Sequence, residues 1–336
     1  MTYRVTLIEG DGIGPEVTGA AIAVLEAAGA PVEWEKVPAG MAAFEEFGHP
    51  LPDAVLESLR RNRVGLKGPL GTPKGKGFRS ANVQLRQGMQ LYTGWRPVLS
   101  LPGVRSKYSN VDVVVLRENT QGLYAGIEHE VTPGTIVSLK VSSREAGERI
   151  ARWAFEHARN VGRRKITVVH KKSVLPMSDG AFVDAFFRVG KDYPFVQQEE
   201  MALDDVCVGL TMDPDNFDTL LLQNLYGDIL SDLCAGLVGG LGVVPGANVG
   251  DSCAVFEAVH GTAPDIEGKG IANPLAVLLS GVLMMEYMGE NKIAARVREA
   301  IWTVMEEGKT ITGDLGGSAN TAEFTHALIE ALPERA

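Results

Sequence analysis

Asn224-Leu-Tyr-Gly-Asp-Ile-Leu-Ser-Asp232 is the stretch on which the reading of this chain turns. It continues through Leu-Cys-Ala-Gly-Leu-Val-Gly-Gly-Leu-Gly-Val-Val to Pro245-Gly-Ala-Asn-Val-Gly250. Just before it lies Phe217-Asp-Thr-Leu-Leu-Leu222, an apolar run of strand length. A buried strand handing over to a helix is the repeating unit of an open α/β sheet, whose ligands gather at strand carboxyl ends. Asp228 and Asp232 lie four apart, so a helix sets both carboxylates on one face, one turn apart. Two like charges there repel by roughly 0.2–0.5 kcal/mol. A hard divalent cation between them removes that repulsion, because such ions take carboxylate oxygen. The plain alternative is a solvated helix start, and the spacing alone favours it.

Working outward, the amino-terminal part alternates strand and helix. Residues 4–9 read as a strand, 16–28 as a helix, 33–37 as a strand, 52–61 as a helix and 64–67 as a short strand. This rhythm predicts an α/β fold with a mostly parallel sheet and helices on both faces. Gly10-Asp-Gly-Ile-Gly-Pro15 fails the Rossmann dinucleotide fingerprint, because Pro15 stands where Gly or Ala is required. It reads as a tight turn into a helix, with Pro15 suited to the first helical turn. Residues 123–141 read as hairpin strands, and Ser142-Ser-Arg-Glu145 as a capping box opening the next helix. Beyond it we expect strands at 165–169, 196–203 and 254–259, and helices at 179–189, 204–212, 274–288, 291–307 and 320–332.

Composition sets bounds on function. The chain has 336 residues, enough for about two domains. Its 45% hydrophobic and 22% charged residues are those of a globular protein. A net charge of −10 argues against nucleic acid as partner. It leaves room for an anionic substrate bound by local arginines. Cys207, Cys234 and Cys253 show no metal-type spacing and fit a reducing compartment. The longest apolar stretch, residues 275–285, is too short to span a bilayer, and no leader is visible. These readings predict a cytoplasmic protein with no membrane partner.

Several residues carry candidate chemistry. The loop from Lys67 to Arg86 is rich in Gly, Pro and Lys but lacks the order of a P-loop. Ser80, Asn82 and Arg86 fall near a helix start, where free N–H groups favour anions. Arg96 and Arg117 each follow an extended segment. Three converging guanidiniums would bind a polycarboxylate bidentately, whereas any one alone reads as a surface ion pair. Tyr124 is either a buried hydroxyl with a partner or a proton donor. Lys171 ends a strand, exposed or in a cleft with a lowered pKa. His260-Gly-Thr-Ala-Pro-Asp265 is a turn whose Asp could accept from ribose hydroxyls and repel a 2′-phosphate. His49, His129, His157 and His326 show no ligand spacing and read as structural.

Taken together, these motifs resemble the metal-dependent decarboxylating dehydrogenases of isocitrate, isopropylmalate, homoisocitrate and tartrate, over essentially the whole chain from Glu9 to Gly317. Asn224 to Asp232, Pro245 to Gly250 and His260 to Pro264 carry the resemblance most specifically. Arg79-Ser-Ala-Asn82 resembles the isocitrate-type substrate loop, and Asp265-Ile266 the NAD-using members. The resemblance implies a two-domain fold that is not a Rossmann fold. Residues 1–98 with 250–336 would form the large cofactor-binding domain, and 99–249 the small one, with a dimerisation arm near 123–141. It implies NAD-dependent oxidative decarboxylation of isocitrate to 2-oxoglutarate, a tricarboxylic acid cycle reaction. Homoisocitrate, isopropylmalate or tartrate turnover, or a regulatory subunit without turnover, are the alternatives.

The same resemblance assigns roles. Arg86, Arg96 and Arg117 would hold a small tricarboxylate with Ser80 and Asn82, and Lys67 and Thr72 would lie near substrate and nicotinamide. Asp228 and Asp232 would bind Mg²⁺ or Mn²⁺ with Asp204 of the partner subunit. Lys171 of the partner subunit would serve the hydroxyl proton, and Tyr124 would protonate the enolate. The adenosine half of NAD would lie on His260, Gly261, Thr262, Ala263, Asp265, Ile266 and Asn273. Shared sites imply a homodimer or higher oligomer. The chain departs from the family at Lys172-Ser173, where Ala-Asn is usual, at Gln121 for Glu, and at Leu222-Gln223 for Thr-Pro.

Overall fold

The computed structural model describes residues 2–71 and 80–334. The chain opens β1 (Tyr3–Ile8), α1 (Gly14–Ala27), β2 (Val32–Lys36), α2 (Met41–Phe47), α3 (Asp53–Asn62), β3 (Val64–Lys67) and α4 (Ala81–Gly88). Next come β4 (Thr93–Leu99), β5 (Asp112–Glu118), β6 (Gly122–Thr132), β7 (Thr135–Val141), α5 (Arg144–Val161), β8 (Lys165–His170), α6 (Ser178–Gly190) and β9 (Gln197–Ala202). It closes with α7 (Leu203–Met212), β10 (Thr219–Leu222), α8 (Asn224–Leu237), β11 (Ala247–Val249), β12 (Ala254–Glu257), α9 (Leu275–Tyr287), α10 (Asn291–Glu307) and α11 (Thr321–Glu330).

Ten strands form one sheet in the order β2-β1-β3-β12-β11-β4-β5-β10-β8-β9. β2, β1, β3 and β12 run parallel, and so do β5, β10, β8 and β9. Between the two blocks, β11 and β4 pair antiparallel with each other and with their outer neighbours. The blocks therefore run in opposite directions and meet at β11 and β4. The mostly parallel α/β fold expected from the strand–helix rhythm is present, and the antiparallel centre was not readable from it.

Burial follows the sheet. In α9 every residue from Leu275 to Met285 is buried, so this helix is apolar all round and packs inside the first block, against α1, β12 and β3. α5 and α6 cover the second block with Phe155, Phe182 and Phe186. Among the described residues no helix is long and apolar enough to cross a membrane. The three cysteines are free.

Two local expectations are corrected. Ser143, not Ser142, caps α5 by accepting from the Ala146 N–H at 3.2 Å, so Glu145 falls one place short of a capping box. Residues 41–47 form α2, closed by Gly48 in the left-handed region, where the sequence reading had no helix. β6 and β7 form the expected hairpin as a separate two-stranded sheet. It leaves Val131, Ile136 and Leu139 exposed, Ile136 at 67%.

Candidate active site

Strand register decides which side chains meet. Arg96 lies opposite Val115 and Arg117 opposite Gly94, so both guanidiniums leave the same face of the sheet. Asn248 lies opposite Gly94 on the other side, adding a polar group to that face. Glu257 ends β12 beside Lys67, which ends β3. Glu257 is the hub: its carboxylate takes Lys67 at 2.5 Å, Arg86 at 3.0 Å, Arg96 at 3.7 Å and the Asn248 amide at 2.5 Å. Burial pushes its carboxyl up, but Lys67, Arg86 and Arg96 outweigh that and hold it well below the usual carboxylate range. Burial lowers Arg96 to about 10, with Glu257 opposing, so the guanidinium stays charged at neutral pH. Three cations against one anion leave the cluster net positive. Asn82 Oδ1 and Arg86 Nε are buried without partners among the described residues.

Glu257 escaped the sequence reading. The available signal was a Glu closing the apolar strand Ala254-Val-Phe-Glu257, three residues before His260. A charge at that place needs buried partners.

Helix α8 delivers the acidic half. Gln223 precedes it, Asn224 accepts from Arg117 at 2.7 and 3.1 Å, and Asp228 pairs with the Arg117 guanidinium. The Tyr124 hydroxyl donates to Asp228, and the Arg117 guanidinium lies 5.0 Å from the Tyr124 ring centroid. Burial, then Asp228, raise the Tyr124 pKa, so the phenol keeps its proton at neutral pH. Asp232 opens to solvent on the same helix face. Partial desolvation first, and the Asp228 carboxylate second, raise its pKa against Arg117 and Arg96. Two carboxylates that burden each other fit a divalent cation. Close approach of α8 to β5 requires Gly227: a Cβ there would stand 2.6 Å from Arg117 Cγ and 2.7 Å from its Cβ. Gly246 likewise clears Arg96, whose Nη1 would lie 2.3 Å from an added Cβ.

Lys171 and Asp204 form a separate pair. Lys171 Nζ lies 2.6 Å from Asp204 Oδ1, with side chains 33% and 62% exposed. The hydrogen bond from Lys171 is the main cause that lowers the Asp204 pKa. Among the described residues no three metal-ligating side chains gather, so one chain does not bring Asp204 to Asp228 and Asp232. The Lys171 backbone is held by Asp179, a fully buried carboxylate that also takes Lys140 and the Tyr226 hydroxyl. Gln121 exchanges two 2.9 Å hydrogen bonds with Ser143 and so fastens the start of α5. Gln223 donates to the Ser178 carbonyl at 3.2 Å.

His260, Gly261, Ala263, Ile266 and Asn273 line a cavity of about 660 Å³, joined by Asp314, which the sequence reading missed. Asn273 donates to Asp314 at 2.9 Å. Burial lowers the His260 pKa, and its Nε2 is buried with no protein partner, a polar atom left for a ligand. Two expected contacts lie off this wall. The Thr262 carbonyl accepts from the Ile13 N–H at 3.0 Å and locks the 10–15 turn, and Asp265 is exposed. Ser80 precedes α4 without capping it, and Thr72 lies outside the described residues.

Residues 4–328 match the isocitrate/isopropylmalate dehydrogenase family. The probable mitochondrial NAD isocitrate dehydrogenase of Drosophila melanogaster, in its alpha chain, is 48% identical over 98% of this chain and 88% of its own length. A regulatory polypeptide of the mitochondrial NAD isocitrate dehydrogenase of Dictyostelium discoideum is 45% identical over 98% of this chain and 92% of its own. The crystal structure of isocitrate dehydrogenase from Methylococcus capsulatus superposes with a TM-score of 0.95 at 46% identity, covering 98% of this chain and 99% of that one. The cytoplasmic expectation is overturned, because the eukaryotic relatives are named mitochondrial. Free thiols mark a reducing compartment and do not choose among such compartments.

Proposed function

The chain belongs to the isocitrate/isopropylmalate dehydrogenase family, and from that premise we propose how its residues divide the work. It catalyses oxidative decarboxylation of isocitrate to 2-oxoglutarate with reduction of NAD⁺ to NADH, the reaction of the tricarboxylic acid cycle. The observation that carries this reading is the net-positive floor of Lys67, Arg86 and Arg96 around Glu257, beside Arg117. A tricarboxylate needs such a floor, and guanidiniums hold carboxylates in fixed geometry. Arg86, Arg96 and Arg117 bind the substrate carboxylates, with Ser80 and Asn82 at the far one. Lys67 serves near substrate and nicotinamide, and Thr72, expected beside it, lies outside the described residues.

Asp228 and Asp232, with Asp204 of the partner subunit, hold Mg²⁺ or Mn²⁺, which when bound supplies charge stabilisation where negative charge builds on substrate oxygen. Lys171 of the partner subunit takes the hydroxyl proton. Oxidation leaves a β-keto acid, which loses CO₂. Tyr124, whose phenol is held protonated, then gives its proton to the substrate carbon. His260, Gly261, Ala263, Ile266 and Asn273 cradle the adenosine half of NAD, with Thr262 fixing the turn behind them through its carbonyl. Asp265 faces the ribose and disfavours the 2′-phosphate of NADP.

The assembly is a homodimer or higher oligomer with shared sites. Support comes from the solvent-open Lys171–Asp204 pair and the apolar residues left bare on the β6–β7 hairpin. Residues 1–98 with 250–336 act as the cofactor lobe and 99–249 as the lobe that carries the hairpin.

The test is NADH formation with Mn²⁺ on isocitrate, homoisocitrate, 3-isopropylmalate and tartrate. Isocitrate gives the highest kcat/KM, with NAD⁺ preferred to NADP⁺. Faster turnover of 3-isopropylmalate overturns the substrate. Isocitrate binding without turnover of any of the four makes the chain a regulatory subunit.

A further inference from the structure

A second cavity opens on the face of β4 opposite the arginines. Alternation along the strand fixes this. Arg96 points to the substrate face, whereas Trp95, Pro97 and Leu99 line the cavity with Asp112 and Val114 of β5. The space is about 480 Å³, within the range of small-molecule sites. Its walls are rich in rings. Trp95 meets His157 edge-on at 4.9 Å, and His157 stacks on Trp153 at 4.9 Å. Trp302 of α10 and Leu283 of α9 form the far wall.

Most charges at the rim are matched, and Arg164, which has no ion pair among the described residues, is open to solvent. Arg163 pairs with Asp112 and Asp218, and Arg298 with Glu286. His157 is neutral at physiological pH, since burial and then Arg163 push its pKa down to about 4. A cation entering here would meet only paired carboxylates and an anion only the solvent-screened Arg164, while a flat apolar ring would gain stacking and buried area. The indole N–H of Trp95 is buried with no acceptor, so the wall itself contains an unsatisfied donor. Among the described residues, none used in the proposed reaction lines this space.

The cavity nevertheless adjoins the catalytic floor. Trp95 and Arg96 are consecutive on β4. Pro245 lines the cavity, and the next residue, Gly246, lies against the Arg96 guanidinium. We infer that this cavity is an effector site for a flat, uncharged aromatic molecule of one or two rings, whose occupancy is transmitted to Arg96 through Trp95 and Pro245–Gly246. Such a ligand acts only if it binds the resting and substrate-gripping positions of Arg96 unequally.

The binding half of this inference stands without the isocitrate reading, and the coupling half rests on it. The probe is 6-fluoroquinoline in its uncharged form, followed by fluorine NMR line broadening on the full-length protein. Broadening should saturate and should persist when isocitrate, Mn²⁺ and NADH fill the active site. Leu283→Trp, which fills the cavity, and Trp302→Ala, which removes a wall, should each weaken binding about tenfold. Saturating probe should change the isocitrate KM by about fivefold in the native protein and not in Leu283→Trp. Absence of saturation, displacement by the active-site ligands, or native-strength binding in both variants overturns the site. Binding as expected with an unchanged KM overturns the effector role. Since the NMR arm needs no turnover, a chain that proves inactive still decides the binding half.

Discussion

Two ion pairs in this molecule look alike on paper and differ in every physical respect. Lys67 and Glu257 are 1% and 6% exposed, 2.5 Å apart, and tied into Arg86, Arg96 and Asn248. Lys171 and Asp204 are 33% and 62% exposed, 2.6 Å apart, and that single contact is the ion pair. The first is a buried network whose members would be stranded by the loss of one. The second is of the kind that adds little to stability. Buried charge here holds a shape, while the exposed pair leaves both groups open to solvent.

The comparison breaks most sharply on Lys171. Lys171→Met should lower kcat about 10³-fold, in the range of lost proton transfer, and hardly move the melting temperature. Mixed and reassociated with Asp228→Asn, it should recover about a quarter of native activity, since random dimers would then carry one sound site in every four. No recovery on mixing means that each chain builds its own site.

Glu257 should show the reverse. Glu257→Ala strands buried cations and should cost about 3–5 kcal/mol in denaturant unfolding. A loss below about 1 kcal/mol would mean that water replaces the carboxylate at no cost and the floor is less dry than its burial implies.

The carboxylate pair on α8 lies between these extremes. Mn²⁺ at a hundredfold excess over its dissociation constant should stabilise the fold by about 2.7 kcal/mol in calorimetry. That gain should vanish in Asp228→Asn and Asp232→Asn. If Asp204→Asn leaves it intact, the third ligand is elsewhere.

The effect confined to acid pH comes from a buried group without charge. His157 has a folded pKa of about 4, below its unfolded value. The unfolded chain therefore binds a proton that the folded chain refuses between about pH 6.5 and 4. Stability should fall by about 3 kcal/mol as pH drops through that window, and be complete above it. His157→Phe should flatten this part of the curve. An unchanged slope would assign the acid loss to the carboxylates.

How much of this was legible depends on distance along the chain. The four-residue spacing of Asp228 and Asp232 announced α8, because helix periodicity is local. The hairpin at 122–141 was announced by Gly and alternation. Glu257 was not, since its partners lie up to 190 residues away and its own neighbours are plain strand residues. The antiparallel centre was hidden too. β11 has only three residues, and no sequence pattern tells which way β4 runs. The cap on α5 slipped by one because two serines stand side by side and only packing chooses between them.

Gly227 has a genetic consequence. An added methyl group would meet Arg117 at its Cβ and Cγ and lie 3.2 Å from its Cα, so no rotation of the arginine escapes it. Helix α8 would have to lift from β5 and carry Asp228 with it. A screen for second-site revertants of Gly227→Ala should therefore find none at position 117 that keep the enzyme working. The change that clears the space is the one that deletes the guanidinium, and a position with no side chain is bound to one whose side chain holds Asn224 and Asp228.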